Sequence, residues 1–155
     1  MGINGCCYYL KYIIKHKWYV FVECCRLGIP WLGIIHDWSR FTPREFIAHM
    51  HHFHNPDGSL RSDLDDSDER WHLGWLFHQR RNKHHWQWWV SWGKTGGARI
   101  VEMPDKYRRE MLADWSGAAI VQGRNLKSWY KEYRDTIQLH PLTRKWIESQ
   151  MAEMG

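Results

Sequence analysis

The sequence predicts a single all-α domain, a helical bundle with one small β-hairpin inserted near residues 87–102. The 155 residues are 43% hydrophobic and include 12 Trp, 7 Tyr and 5 Phe, which is enough to bury a core and unlike a disordered chain. Apolar residues recur mainly at the 3.6-residue period of a helix, and glycine or proline separates the periodic segments. Because no repeat or linker divides the sequence, we expect residues 1–155 to form one domain.

The first predicted helix covers residues 8–27. Tyr9, Ile13 and Val20 recur on one face, and a glycine and a proline just after the helix predict its end. A short segment, residues 34–40, then leads into the next helix.

A second helix is predicted over residues 43–54. Thr42 at the cap, Pro43 at the first helical position and Glu45 in the first turn are typical of a helix start. The Asn-Pro-Asp-Gly sequence that follows predicts its end. Four histidines cannot all share one helical face, so we expect an exposed, histidine-rich helix end: His49, His51, His52 and His54.

The remaining elements follow from turn and cap signals. Residues 59–67 are polar and acidic, which is typical of a surface loop. The glycine-rich segment 93–97 separates two stretches with strand character, which predicts a hairpin of residues 87–92 and 98–102. Helical periodicity and caps predict four more helices: 68–81, 104–122, 126–137 and 142–153.

The charge balance favours an anionic partner. Lys and Arg outnumber Asp and Glu by 22 to 17, which gives a net charge of +5. No stretch approaches the ~18 uncharged apolar residues of a spanning helix, and the N-terminal sequence lacks a signal-peptide pattern. We therefore expect a cytoplasmic protein with no membrane partner.

The four cysteines form two adjacent pairs, residues 6–7 and 24–25, and neither pair is a CxxC. Adjacent thiols rarely bridge well or bind one zinc ion together. This pattern favours reduced structural thiols over a four-cysteine zinc site.

The most distinctive chemical signal is the adjacent pair His36-Asp37, with His16 twenty residues upstream. Imidazole and carboxylate groups are ligands for zinc, iron, manganese and nickel, if the bundle brings them together. A structural or surface role is the alternative. Glu110 and Asp114 lie one turn apart and share a helical face, for which the alternative is a solvated acidic stripe balanced by neighbouring arginines.

Three further histidines lie around the end of the helix predicted at 68–81. His78 and His85 share a face if that helix continues through Asn82, and His84 then points elsewhere. If the helix ends at Asn82, the choice between His84 and His85 stays open. The alternative is a basic helix end with histidines near the C-terminal dipole.

These residues, in sequence order, resemble the ligand series of the HD superfamily of metal-dependent phosphohydrolases, which are all-α bundles: His16, His36, Asp37, His78, His84 or His85, and Asp114. Residues 36–40, His-Asp-Trp-Ser-Arg, are also similar to the His-Asp-x-x-Lys motif of the HD-GYP and cyclic-nucleotide phosphodiesterase branches. In those branches the basic residue lies near the substrate phosphate, and Arg40 stands there in this chain. An arginine suits a phosphate through its bidentate fork.

The HD resemblance implies one or two divalent transition metal ions per chain, with Zn, Mn, Fe, Ni and Co not distinguished. One ion would be held by His16, His36, Asp37 and Asp114. A second would be held by His78 and either His85 or His84, with Asp37 bridging the two positions.

The resemblance also implies hydrolysis of a phosphate ester in a nucleotide or cyclic nucleotide by metal-activated water. Arg40, with Arg81 or Lys83, would neutralise charge on the phosphate. Glu110 is the candidate base beside the metal ligands. The tryptophans would be core residues, with one or two lining a pocket in which a base stacks.

Two other functions fit the same sequence. Some HD-fold proteins resemble this six-ligand series and hold two irons for oxygen-dependent oxidation. A nucleic-acid-binding module without catalysis would use the net charge, the aromatic residues and the basic residues Arg80, Arg81 and Lys83.

The chain also resembles an uncharacterised family of small proteins from phage and bacterial genomes. The shared stretches are residues 15–18, 36–39, 82–86 and 138–141. A phage-encoded member would act in the host cytoplasm.

Overall fold

The computed structural model describes residues 3–62, 64 and 67–154, and it confirms the predicted all-α class with one small hairpin. Within that part of the chain, seven α-helices occur in this order: α1 (Ile3–Arg26), α2 (Pro30–Ile35), α3 (Pro43–Phe53), α4 (Glu69–Arg81), α5 (Asp105–Gln122), α6 (Leu126–Tyr133) and α7 (Pro141–Glu153). Single 3₁₀ turns lie at Trp38–Phe41 and Trp86–Trp89, and the hairpin consists of β1 (Val90–Trp92) and β2 (Ala98–Ile100).

Most predicted helices are present, with shifted ends. Helix α1 begins at Ile3 rather than at residue 8, and α6 ends at Tyr133 rather than at 137. Helix α2 was not predicted, because the glycine and proline after α1 were interpreted only as a stop. Pro30 instead occupies the first helical position of α2, where its missing N–H costs nothing.

The hairpin is shorter than predicted. The stretch expected to begin a strand at residue 87 starts with a 3₁₀ turn of tryptophans, and pairing begins only at Val90, opposite Ile100. In the polar segment 59–67, the described residues contribute one isolated bridge, between His54 and Leu60. Asp63, Asp65 and Asp66 of that predicted loop lie outside the described residues.

Two close helix contacts position the later site. At Gly117 of α5 an added Cβ would lie 2.6 Å from the Val20 side chain of α1, so only glycine allows this approach. His16 and Asp114 each lie one turn before this contact.

The second close contact joins α3 and α4. At Gly74 an added Cβ would lie 2.5 Å from the Ala48 Cβ. Glu45 and His78 each lie one turn from it. The close spacing of the helices at both contacts therefore depends on glycine, which has no side chain.

The largest apolar core lies on the other side of α5, against α6 and α7. It is built from Met103, Met111, Leu112, Tyr130, Ile137, Leu139, Ile147 and Met151. All four cysteines are unpaired; Cys24 is fully buried, and Cys7 and Cys25 are exposed. Within the described ranges, every helix is too short or too polar to cross a lipid bilayer.

Candidate metal centre

Four of the predicted ligands converge in the interior and form what we term the first ligand group. His16 comes from α1 and Asp114 from α5, while His36 and Asp37 come from the connection that follows α2. Their ligand atoms all lie within 4.8 Å of one another. Because α1 packs directly against α5 and α2, residues far apart in the sequence meet at this point.

Distances in the first ligand group match those between ligands of one metal ion. The Nε2 atoms of His16 and His36 lie 3.1 Å and 3.4 Å from Asp114 Oδ1, and His36 Nε2 lies 3.6 Å from Asp37 Oδ2. Two ligands bound tetrahedrally to zinc are about 3.4 Å apart. Among the described residues, both Nε2 atoms are buried and lie close to these carboxylate oxygens without the alignment of a hydrogen bond, so a metal ion held between them would satisfy them.

A second ligand group consists of Asp37, His78, His84 and His85. The Nε2 atoms of His78 and His84 each lie 3.4 Å from Asp37 Oδ1. Helix α4 ends at Arg81, so the chain turns and brings both adjacent histidines to the cluster. The alternative of a helix that continues through Asn82 is therefore wrong. The helix end is basic, as the other alternative has it, with His78, Arg80 and Arg81 in its last turn, but all three histidines are buried.

Asp37 belongs to both groups, with Oδ2 toward the first and Oδ1 toward the second. It is the only non-glycine residue with positive φ in the described part of the chain, at φ 52°. Aspartate adopts this left-handed conformation at lower cost than most residues. The break in helical structure there lets adjacent residues, His36 and Asp37, face one cluster.

Glu110 orients one histidine of each group. Its Oε1 accepts hydrogen bonds from His36 Nδ1 at 3.1 Å and His84 Nδ1 at 3.2 Å. A proton on Nδ1 leaves the Nε2 lone pair free to bind a metal. Glu110 and Asp114 are buried among histidines, while Arg108 and Arg109 pair with Asp105 instead, so the solvated acidic stripe is wrong.

Glu45 performs the same task for the second group and was not recognised in the sequence. It is fully buried, and its Oε2 accepts from His78 Nδ1 at 3.0 Å. Ser39 and Arg81 also donate to this carboxylate, at 2.6 Å and 2.8 Å. Its position in the first turn of α3 explains a helix start equally well, so the sequence offered no separate signal.

The predicted exposed histidine-rich helix end is wrong, because His49 and His52 are 1% and 5% exposed. The tryptophans of α4 cover them, and the His52 ring stacks on Trp71 at 4.1 Å. His49 Nδ1 donates to the Glu45 carbonyl at 2.8 Å. Within the described residues, its buried Nε2 has no hydrogen-bond partner.

Comparison with known proteins identifies a family whose function is unknown. Residues 6–153 match a protein family described as a family of unknown function (DUF5662). The chain belongs to this family. No curated protein and no solved structure matches the chain. For this DUF5662 chain, chemical inference therefore rests on the site itself.

Electrostatics favours an ionised Asp37 and neutral His78 and His85, which are the states that metal ligands need. Burial alone would raise the pKa of Asp37, but the charged His36 and Arg40 hold it well below its usual range. Burial lowers the pKa of His78 and His85, which keeps both neutral. His36 differs: burial lowers its pKa, but the surrounding carboxylates outweigh this and raise it to about 10. A metal ion would replace that proton.

A cavity of about 1000 Å³ adjoins both ligand groups. His16, His85, Asp114 and Arg40 line its metal-facing end. Aromatic side chains form much of the remaining wall: Tyr12, Trp71, Trp75, Trp115, Trp129 and Tyr133.

Of the basic residues predicted to contact phosphate, Arg40 alone lines this cavity among the described residues. Its Nε donates to Asp37 Oδ2 at 2.5 Å, which ties it to the ligand groups. Arg81 is engaged with Glu45. Lys83 is exposed, with its ammonium over the rings of Trp88 and Tyr107.

Proposed function

We propose that the chain is a metal-dependent phosphohydrolase of the HD type that acts on a nucleotide. The observation that carries this proposal is the pair of ligand groups sharing Asp37, with nitrogen–oxygen separations typical of one coordination sphere. The ligand residues follow the HD order along the sequence. Since the family has no described activity, their order and geometry are the support.

When bound, a divalent metal ion supplies water activation near neutral pH and polarisation of a phosphoryl oxygen. The side chains of the protein would hold the ion and orient its ligands and the substrate. Glu110 and Glu45 fix the rings of three histidines through Nδ1, so that Nε2 stays available. Arg40 lies next to Asp37 and lines the cavity, and in the proposed reaction it would bind a phosphate oxygen.

The aromatic wall supports a nucleotide substrate. Asp114 and Gln122 both line the cavity and are eight residues apart on α5, which corresponds to about 12 Å along the helix. Near Gln122, the ring centroid of Trp129 lies 5.4 Å from that of Trp115 and 5.7 Å from that of Tyr133. A phosphate at the ligand groups would place a base against these rings, where stacking stabilises it.

Metal analysis tests the proposal most directly. We expect one to two metal ions per chain in protein purified without chelator, and a large loss in His36→Ala and Asp37→Asn. Asparagine suits the left-handed backbone at position 37, so this variant removes the charge without backbone strain. His51→Ala is the matched control, because His51 lies on α3 outside both ligand groups. Metal-loaded protein should hydrolyse at least one such substrate, either by releasing phosphate from a nucleoside phosphate or by opening a cyclic nucleotide to a nucleoside monophosphate.

Three outcomes contradict the proposal. If the protein contains no metal after gentle purification, the two ligand groups do not support the proposal. Retained iron with a visible absorption band, and no hydrolysis of nucleoside phosphates or cyclic nucleotides, supports an oxygen-dependent di-iron enzyme instead. Metal-independent, salt-sensitive binding of nucleic acid supports a non-catalytic module.

A further inference from the structure

The outer surface formed by α1, α2 and the 3₁₀ turn Trp38–Phe41 is apolar and exposed. Three of its tryptophans, Trp18, Trp31 and Trp38, are 61%, 67% and 59% exposed. Aliphatic side chains, Leu10, Ile14 and Ile34, are exposed beside them. We call this surface the N-terminal face.

Contacts between the three segments make the N-terminal face continuous. Leu10, Ile14 and Trp18 follow one another at four-residue spacing and form a stripe along α1. Helix α2 packs directly on α1. Lys17 of α1 connects α2 with the 3₁₀ turn Trp38–Phe41. Its Nζ donates to the Ile34 carbonyl at 3.4 Å and lies 5.3 Å from the Trp38 ring centroid.

The exposed charges of the segments that form this face have one sign. Residues 4–54, all of which the structure describes, contain three acids, Glu23, Asp37 and Glu45, and all three are buried. The exposed charges in that range are therefore cationic, including Lys11 and Lys15 at the edge of the apolar stripe.

We propose that the N-terminal face binds an anionic lipid surface. Tryptophan prefers the membrane–water interface, lysines are attracted to anionic headgroups, and an amphipathic helix can lie in the interface plane. The expectation of no membrane partner rested on the lack of a spanning segment and of a signal-peptide pattern, and a surface contact needs neither. None of these side chains belongs to a ligand group, so the inference is independent of the proposed hydrolase function.

Other occupants fit this face less well. A second copy docked through the same face would bring lysine against lysine, which is repulsive. Nucleic acid would satisfy the lysines but leave the aliphatic stripe on α1 without an apolar partner. An anionic bilayer surface offers both an apolar layer and negative charge.

Vesicle co-sedimentation tests the proposal on the full chain. We expect binding to vesicles of equal parts phosphatidylcholine and phosphatidylglycerol, weak binding to phosphatidylcholine alone, and weakening by added salt. Neutralising both edge lysines, Lys11→Gln with Lys15→Gln, should weaken binding by about fivefold per lysine. The double variant Trp18→Ala with Trp31→Ala should bind anionic vesicles more weakly than the double lysine variant.

Matched controls come from elsewhere on the surface. Trp92→Ala removes a tryptophan that is 75% exposed on β1, and Lys127→Gln with Lys131→Gln removes two lysines of α6. Neither control should change vesicle affinity. The proposal is overturned by no binding to anionic vesicles, by equal binding to neutral ones, or by equal losses in controls and test variants. It is also overturned if the tryptophan variants abolish only self-association or only binding to nucleic acid.

Discussion

At the scale of single residues, the partner of Nδ1 in three histidines determines whether Nε2 is free to bind a metal ion. Glu110 contacts His36 and His84 through Nδ1, and Glu45 contacts His78 in the same way. These carboxylates fix the rings and raise the basicity of the nitrogens that face Asp37 and Asp114. Because these groups are buried, removing one partner would leave an unpaired polar or charged group in the interior, which costs free energy of folding.

Glu110→Gln tests this support, because glutamine keeps the shape and removes the charge. We expect metal affinity to fall by about 10- to 100-fold, as measured by competition with a chelating dye. Glu132→Gln, an exposed change on α6, is the control. Unchanged affinity in Glu110→Gln would show that the carboxylate does not orient metal ligands.

His49 gives a pH dependence to the stability of the metal-free protein. Burial and the nearby Arg40 lower the pKa of His49 to about 4, below its ordinary value of 6.5. Because the unfolded chain takes up this proton first, stability is full above pH 6.5 and is lost as the pH falls toward 4. From pH 7 to pH 5, wild type should lose about 2 kcal/mol more unfolding free energy than His49→Gln. Urea unfolding of both chelator-treated proteins measures this difference, and parallel losses would contradict it.

At the scale of elements, the close contact between α1 and α5 at Gly117 holds the first ligand group. Gly117→Ala would push α5 away from α1 at Val20, one turn from both His16 and Asp114. We expect a loss of about 1 to 3 kcal/mol in unfolding free energy and a lower metal content. Gly93→Ala is the control, because its nearest neighbours are at an ordinary 3.7 Å. Wild-type stability and metal content in Gly117→Ala would contradict this account.

The sequence predicts the elements better than it predicts their contacts. Period and caps located α3, α4, α5 and α7 closely, since those signals are local. The ligand series was found through residue types and their order. Glu45 and His49 were missed, because the helix that covers them, α4, is remote in sequence. Pro30 gave a local signal that fits either a helix end or a helix start.

At the scale of the whole molecule, the ligand groups join four parts of the chain, so metal binding and folding should be linked. At free metal 100-fold above the dissociation constant, binding adds about 2.7 kcal/mol of stability. For a domain of this size, chelation should therefore lower the melting temperature by about 5 to 10 °C. Asp37→Asn should melt at the same temperature with and without chelator. A chelator-insensitive wild type would show that no bound ion contributes to stability.

The β1–β2 hairpin has a practical consequence for handling this protein. Its turn, residues 93–97, is exposed and lies outside both ligand groups. Exposed turns of this kind tolerate inserted sequence. A peptide tag or a fluorophore attachment point spliced into the turn would allow immobilisation or imaging without altering the histidine cluster.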